Sequence, residues 1–261
     1  MYYRLIEKKR NEWFLSGDCP VRELVRYIQE RGKMRDTQIE AIKTYLFLLI
    51  KCENKPLWKL FSSGFFNTLD LQETELRQHT REYMLAHPAA QALYEYSVLQ
   101  DRNGKQIAPE LEKQLRIAPE SIDCEEVFRK IFYNVGYTDY LFSLPMGAGK
   151  TFLMAAFIYI NLYYATLKPE DPTFAHNFIV LAPSGLKSSI IPSLKHIKEF
   201  DPAWIIPEPA AGQQPHPPRL AQVNHHAADV VDAAVVLVPC YYDIQTVVEM
   251  KKKIVIMMVL L

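Results

Sequence analysis

Glycine is scarce in this chain, 9 residues of 261, and no internal repeat is visible. Collagen-like and other low-complexity architectures are therefore excluded. Net charge is lacking too: thirty basic side chains balance thirty acidic ones. No overall field draws nucleic acid, membranes or acidic ligands, so any grip on nucleic acid must be local. The four cysteines, at 19, 52, 124 and 240, form no close pair, which fits neither a disulfide framework nor a zinc cluster. The longest apolar stretch, Phe152 to Ala165, is broken by Asn161 and is too short to cross a bilayer. The opening MYYRLIEKKRNEW lacks the apolar core of a signal peptide. The expectation is a cytoplasmic protein with reduced thiols and no membrane partner.

What is present is ordinary globular material, 49% apolar and 23% charged, enough for one large domain or two modest ones. Residues 1–136 read as a helical region. A helix opens at Asp18 or Cys19 with Pro20 behind it, carries the stripe Val21, Leu24, Val25 and Ile28, and ends at Gly32. A second begins at Asp36 or Thr37, where Thr37 and Glu40 have capping-box spacing. Further helices are expected over 72–86, 89–100, 108–117 and 124–134, the last opening at Asp123 with Glu126 three positions on. Asn103-Gly104 marks a turn.

From 137 the period changes. Tyr140, Leu141 and Phe142 read as a short strand ending at Pro145, a helix fits 151–165, Phe178 to Leu181 reads as a buried strand, and a helix fits 187–200. This alternation predicts an α/β fold, a parallel sheet covered by helices, over 137–261. The segment 209–250 is atypical, rich in Ala, Val and Pro without Lys or Phe, and reads as a poorly ordered insertion or as sequence that has lost its pattern. The chain closes on KKKIVIMMVLL, a run suited to the middle of a sheet, so the sequence reads as cut short.

The residues that carry chemistry are Leu144-Pro145-Met146-Gly147-Ala148-Gly149-Lys150-Thr151. Glycines at 147 and 149 let backbone N–H groups approach phosphate oxygens, and a helix starting near Lys150 aims its positive end at the same anion. Pro145, Met146, Gly147, Ala148, Gly149, Lys150 and Thr151 are thus candidate ATP-binding residues. Lys150 would reach the β and γ phosphates, and the Thr151 hydroxyl would ligate Mg2+. Leu144 stands where the full pattern G-x-x-x-x-G-K-[ST] has its first glycine. The bland alternative is a glycine turn joining strand to helix.

SLPMGAGKTFLMAAFIYINLYYA followed by NFIVLAPSGLKSSIIPSLKHI resembles motifs I and Ia of superfamily-two DEAD/DEAH-box helicases, and within them the restriction (Res) subunits of type III restriction–modification systems. The resemblance covers about residues 30–208. It implies an incomplete RecA-like ATP-binding domain and, for the parent protein, ATP-driven movement along DNA, with a methyltransferase subunit as partner. MRDTQIEAIKTYLF, within 34–50, is similar to the family's glutamine segment; Gln38 would read the adenine edge, with Arg35 nearby and a helical insertion between this segment and the glycines. Gln38 reads equally well as an exposed helix residue. In the resemblance the loop after the second strand contacts the DNA backbone, which assigns Ser184, Gly185 and Lys187, with Ser188 adding a hydroxyl. A helix-capping turn with a solvated lysine explains the same residues.

The family's Walker B Asp-Glu pair is missing: the dipeptide occurs nowhere in the chain, and Met258-Val259-Leu260-Leu261 follow KIVIM, the strand that should deliver it. Asp232 and Asp243 are the remaining carboxylate candidates. His225, His226 and Asp229 do not complete a metal cluster. The Phe152, Phe157, Tyr159, Tyr163 and Tyr164 aromatics read as a buried helix face. Turnover by this chain alone is therefore not expected. Three alternatives stay open: another P-loop enzyme such as a kinase, a non-catalytic nucleotide-binding remnant, and a helical interaction protein whose glycine loop is accidental.

Overall fold

A computed structural model describes residues 2–101, 103–136, 138, 140–171, 173–175, 177–182, 196, 197, 199–207, 219–222, 234–239 and 254–258. The chain forms two compact units. One comprises Met1–Asp18 and Phe47–Leu141; the other comprises Cys19–Leu46 and Phe142–Leu261.

In the first unit, described helices run α1 (Tyr2–Leu15), α4 (Leu57–Ser62), α5 (Gln78–Ala86), α6 (Pro88–Ser97), α7 (Pro109–Ile117) and α8 (Cys124–Ile131). Phe61 of α4 lies at the middle of an aromatic core, with ring centroids 4.6 Å from Phe66, 6.2 Å from Phe128 and 5.6 Å from Phe132. Asp123 caps α8 as expected, its carboxylate accepting the Glu126 N–H at 3.0 Å. The turn at Asn103-Gly104 is also present, with Gly104 at φ +77° and the Asp101 carboxylate accepting the Asn103 and Lys105 N–H groups. The helix expected over 72–86 is shorter. Asp70 captures the Gln72 N–H and holds Leu71–Glu73 as a single 3-10 turn before α5 starts.

The second unit contains α2 (Arg22–Arg31), α3 (Asp36–Leu46) and α9 (Lys150–Leu167). Gly32 ends α2 in the left-handed conformation, φ +63°, where a side chain would be strained. Along α9, eleven of eighteen residues are buried, and apolar side chains surround the helix rather than forming one stripe. Tyr45 of α3 stacks on Phe157 of α9 at 4.3 Å, and Phe142 closes on both rings. Asn161, which interrupts the apolar run, is fully buried and fully used. Its Nδ2 donates to the Tyr45 hydroxyl at 2.6 Å and to the Phe157 carbonyl at 2.8 Å, and its Oδ1 accepts the Ala175 N–H at 3.3 Å.

The expected α/β class, with an incomplete RecA-like domain over 137–261, is overturned. Among the described residues nine α-helices make up most of the structure, against four strands of four to six residues: β1 (Asn177–Ala182), β2 (Arg219–Gln222), β3 (Ala234–Pro239) and β4 (Ile254–Met258). These pair in parallel in the order β2-β3-β1-β4, with Phe178 opposite Val235 and Val255. The strand that should feed the glycine loop is not formed. Tyr140 to Pro145 has no regular structure, Leu141 is 75% exposed, and the Tyr140 hydroxyl donates to the Lys55 carbonyl in the first unit. An apolar run encodes a wish for burial, which Phe142 satisfies by packing on two helices rather than by entering a ladder. Most of the helix expected over 187–200 and most of 209–250 lie outside the described residues.

Candidate functional site

The glycine loop takes its shape from two left-handed residues, Gly147 at φ +75° and Gly149 at φ +77°. Between them Ala148 is buried and donates its N–H to the Pro145 carbonyl at 3.2 Å, closing a tight turn. Gly149 is the residue before α9 and has no side chain to cap it. The first N–H groups of any helix have no intrahelical acceptor, so Lys150, Thr151 and Phe152 present donors at the positive end of an eighteen-residue helix. Met146 is 97% exposed.

The loop is held by the N-terminus of α3. Gln38 is the third residue of that helix, and its Oε1 reaches back to accept the Arg35 N–H at 2.9 Å, the reciprocal half of a capping box. Its Nε2 donates to the Gly149 carbonyl at 2.9 Å, across 111 positions of sequence. The Gly149 carbonyl also accepts the Leu153 N–H at 3.1 Å, so both its lone pairs are used. The Arg35 guanidinium donates to the Gly147 carbonyl. The expected capping box, Thr37 with Glu40, is found two positions earlier in the chain: α3 starts at Asp36, which places Thr37 inside the helix and makes Gln38 the residue that caps, through the Arg35 N–H.

A cavity of about 620 Å³ opens beside the loop, within the roughly 300–1,000 Å³ typical of small-molecule sites. Gly147, Gly149, Lys150 and Thr151 line it from the loop side and Lys33, Arg35 and Gln38 from the α3 side. Among the described residues on its wall there are three cations and no carboxylate, a local positive site in a chain without net charge. Phe152 and Trp204 complete the wall.

Gln38, which reads from sequence as either adenine contact or exposed residue, is 4% exposed. Pro145 and Ala148 shape the turn without lining the cavity, whereas Met146, Gly147, Gly149, Lys150 and Thr151 line it. Ser184, Gly185 and Lys187 lie outside the described residues, as do Asp232, Asp243, His225, His226 and Asp229. Sequence reasoning did not single out Lys33 or Trp204; for Trp204 the available signal was Asp201-Pro202, whose carboxylate caps the 3-10 turn Pro202–Trp204.

Among the described residues no three His, Cys, Asp or Glu side chains gather closely enough to hold a metal ion, and no helix is long and apolar enough to cross a membrane. Thr151 is the hydroxyl on the cavity wall. That donor set suits magnesium carried in by phosphate oxygens, which keeps several waters and needs few protein ligands. No protein-family model, curated protein or solved structure matches this chain.

Proposed function

We propose that this chain binds a magnesium–nucleoside triphosphate, ATP in the first instance, at the loop 145–151. The observation that carries the reading is the coincidence of two left-handed glycines, an uncapped helix N-terminus and three cations on one cavity wall. Gly147 and Gly149 keep side chains away from the phosphates, the α9 N–H groups supply neutral donors, and Lys150, with Arg35 and Lys33, balances the charge. The Thr151 hydroxyl would hold the magnesium that arrives with the nucleotide, and the ion would offset the remaining negative charge of the phosphates. The motif resemblance extends this to the ATP-binding part of a type III restriction translocase, with DNA backbone contacts at Ser184, Gly185 and Lys187 and a methyltransferase partner.

A second reading, nucleotide binding without turnover, is favoured by a specific observation: no Asp-Glu dipeptide occurs in the sequence to hold magnesium and activate water. Binding of Mg-ATP to the 261-residue chain and to Lys150→Ala, measured by calorimetry, tests the common core of both readings. Lys150→Ala is expected to weaken binding at least tenfold, roughly the contribution of one charge-assisted contact to a phosphate. Unchanged affinity overturns the assignment.

A further inference from the structure

We propose that the nucleotide's base is held by stacking on Trp204 and Phe152 and is not read by Gln38, so that the site takes nucleotides with little choice between adenine and guanine. This rests on the nucleotide reading above and concerns the far wall of the same cavity. Trp204 and Phe152 line that wall with their rings nearly parallel and stacked on one another, 11° apart at a centroid distance of 5.8 Å. Both keep open surface: Phe152 is 36% exposed and Trp204 half-buried. Behind them sits the buried Phe200, 5.5 Å from Trp204 with its ring nearly edge-on and 6.3 Å from Phe152.

Trp204 is fixed in place rather than lying loosely on the surface. The Asp201 carboxylate accepts the Ala203 N–H at 3.0 Å, and the Ala203 carbonyl accepts the Tyr27 hydroxyl at 2.8 Å and the Arg31 Nε at 3.2 Å from α2. This stacked pair, backed by a third ring and anchored through the main chain, presents open aromatic surface at the end of a cationic cavity. A base on a triphosphate matches that pattern: one end is planar and polarisable, the other anionic.

Gln38 is poorly placed to select a base. One end of its amide caps α3 through the Arg35 N–H, the other ties the Gly149 carbonyl, and at 4% exposure almost none of its surface is left for a ligand. It is a positioning residue that sets the loop. Stacking tolerates any base because every base has a π-face, whereas strong discrimination needs a side chain built to hydrogen-bond the base edge.

The test uses the full chain with Mg-ATP, Mg-GTP and inorganic tripolyphosphate as probes, read by calorimetry and tryptophan emission. Trp13 and Trp58 are buried in the first unit, so a ligand at the cavity reports through Trp204. ATP and GTP are expected to bind within about threefold of each other and to quench emission, and tripolyphosphate to bind without quenching. Trp204→Ala should weaken both nucleotides about 5- to 100-fold, the range for loss of one base–aromatic stack, and leave tripolyphosphate unchanged. Trp204→Phe should keep nucleotide affinity and abolish the quench, which preserves the test if the alanine variant misfolds. Gln38→Ala should weaken all three probes alike. The proposal is overturned if Trp204→Ala affects no probe or all three equally. It is also overturned by a strong ATP preference that Gln38→Ala removes, or by tripolyphosphate binding as tightly as ATP. If neither ATP nor tripolyphosphate binds the unmodified chain, the nucleotide reading itself falls and takes the platform with it.

Discussion

Replacing Gly149 with alanine tests the link between loop and helix most directly. Two costs act on it. The backbone at φ +77° lies where an L side chain is disfavoured by about 1–2 kcal/mol. In addition, a Cβ at this position would meet the Gln38 Nε2 at 2.6 Å, closer than any ordinary contact, so the amide must move. Moving it removes the bond to the Gly149 carbonyl and leaves a buried amide short of a partner, a further cost of about 1–3 kcal/mol. Gly147 is the internal control. Its φ is +75°, but a Cβ there meets nothing within 4 Å, so Gly147→Ala carries the backbone cost alone. The expected order is a loss of about 1–2 kcal/mol for Gly147→Ala and about 2–5 for Gly149→Ala. At roughly 2–4 °C per kcal/mol for a unit of this size, the second should melt several degrees below the first. In a Gln38→Ala background the clash is gone, and Gly149→Ala should fall back to the cost of Gly147→Ala. Calorimetric melting of the single and double variants completes the cycle. Equal losses at 147 and 149, or additive effects of Gly149→Ala and Gln38→Ala, would refute the coupling of Gln38 to the Gly149 carbonyl.

Three further expectations follow from other parts of the molecule. Asn161→Leu deprives the buried Tyr45 hydroxyl and Ala175 N–H of their partner and should cost about 2–4 kcal/mol in urea unfolding; adding Tyr45→Phe should recover part of it, and no recovery would mean the pair is not coupled. Burial pushes the Tyr45 hydroxyl up to about 12 from its usual 10, against an opposing hydrogen bond from Asn161. Its contribution is complete below pH 10 and is lost between pH 10 and 12, where the unfolded chain releases the proton and the fold retains it. That amounts to about 2–3 kcal/mol, and Tyr45→Phe should flatten this part of the pH–stability curve. The chain should show no DNA-stimulated ATP turnover at helicase rates, because one missing transition-state group commonly costs about 100- to 1,000-fold; turnover abolished by Lys150→Ala would point to Asp243 or Asp232 as the missing carboxylate.

The parts of the fold that could be read from sequence are those fixed by neighbouring residues. Gly32 as a C-cap, Asp123 as an N-cap and the Asn103-Gly104 turn each depend on side chains within a few positions, and each is present. The strand at 140–142 shows where such reading stops. Its apolar residues are real, but the chain passes from one unit to the other at 141/142, so Tyr140 bonds in the first and Phe142 packs in the second. No local pattern encodes that division. The glycine loop was legible because Gly147 and Gly149, both at φ > 0, sit two positions apart directly before Lys150 and Thr151. The Gln38–Gly149 bond was not derivable from either segment alone, and Trp204 joins the cavity only through the tertiary path of the 3-10 turn that carries it.

That long-range bond has a consequence for the protein as it is made. Gln38 leaves the ribosome 111 residues before Gly149, and the stretch between them builds largely the other unit. At roughly 5–20 residues per second, α3 waits about 5–20 s before α9 begins to emerge. During that interval Ile39, Ile42 and Tyr45, all buried in the finished unit, have no α9 to cover them. The segment 19–46 is thus an early-synthesised part of a late-completed unit, and nascent chains halted before residue 150 should be the ones that recruit chaperones to it.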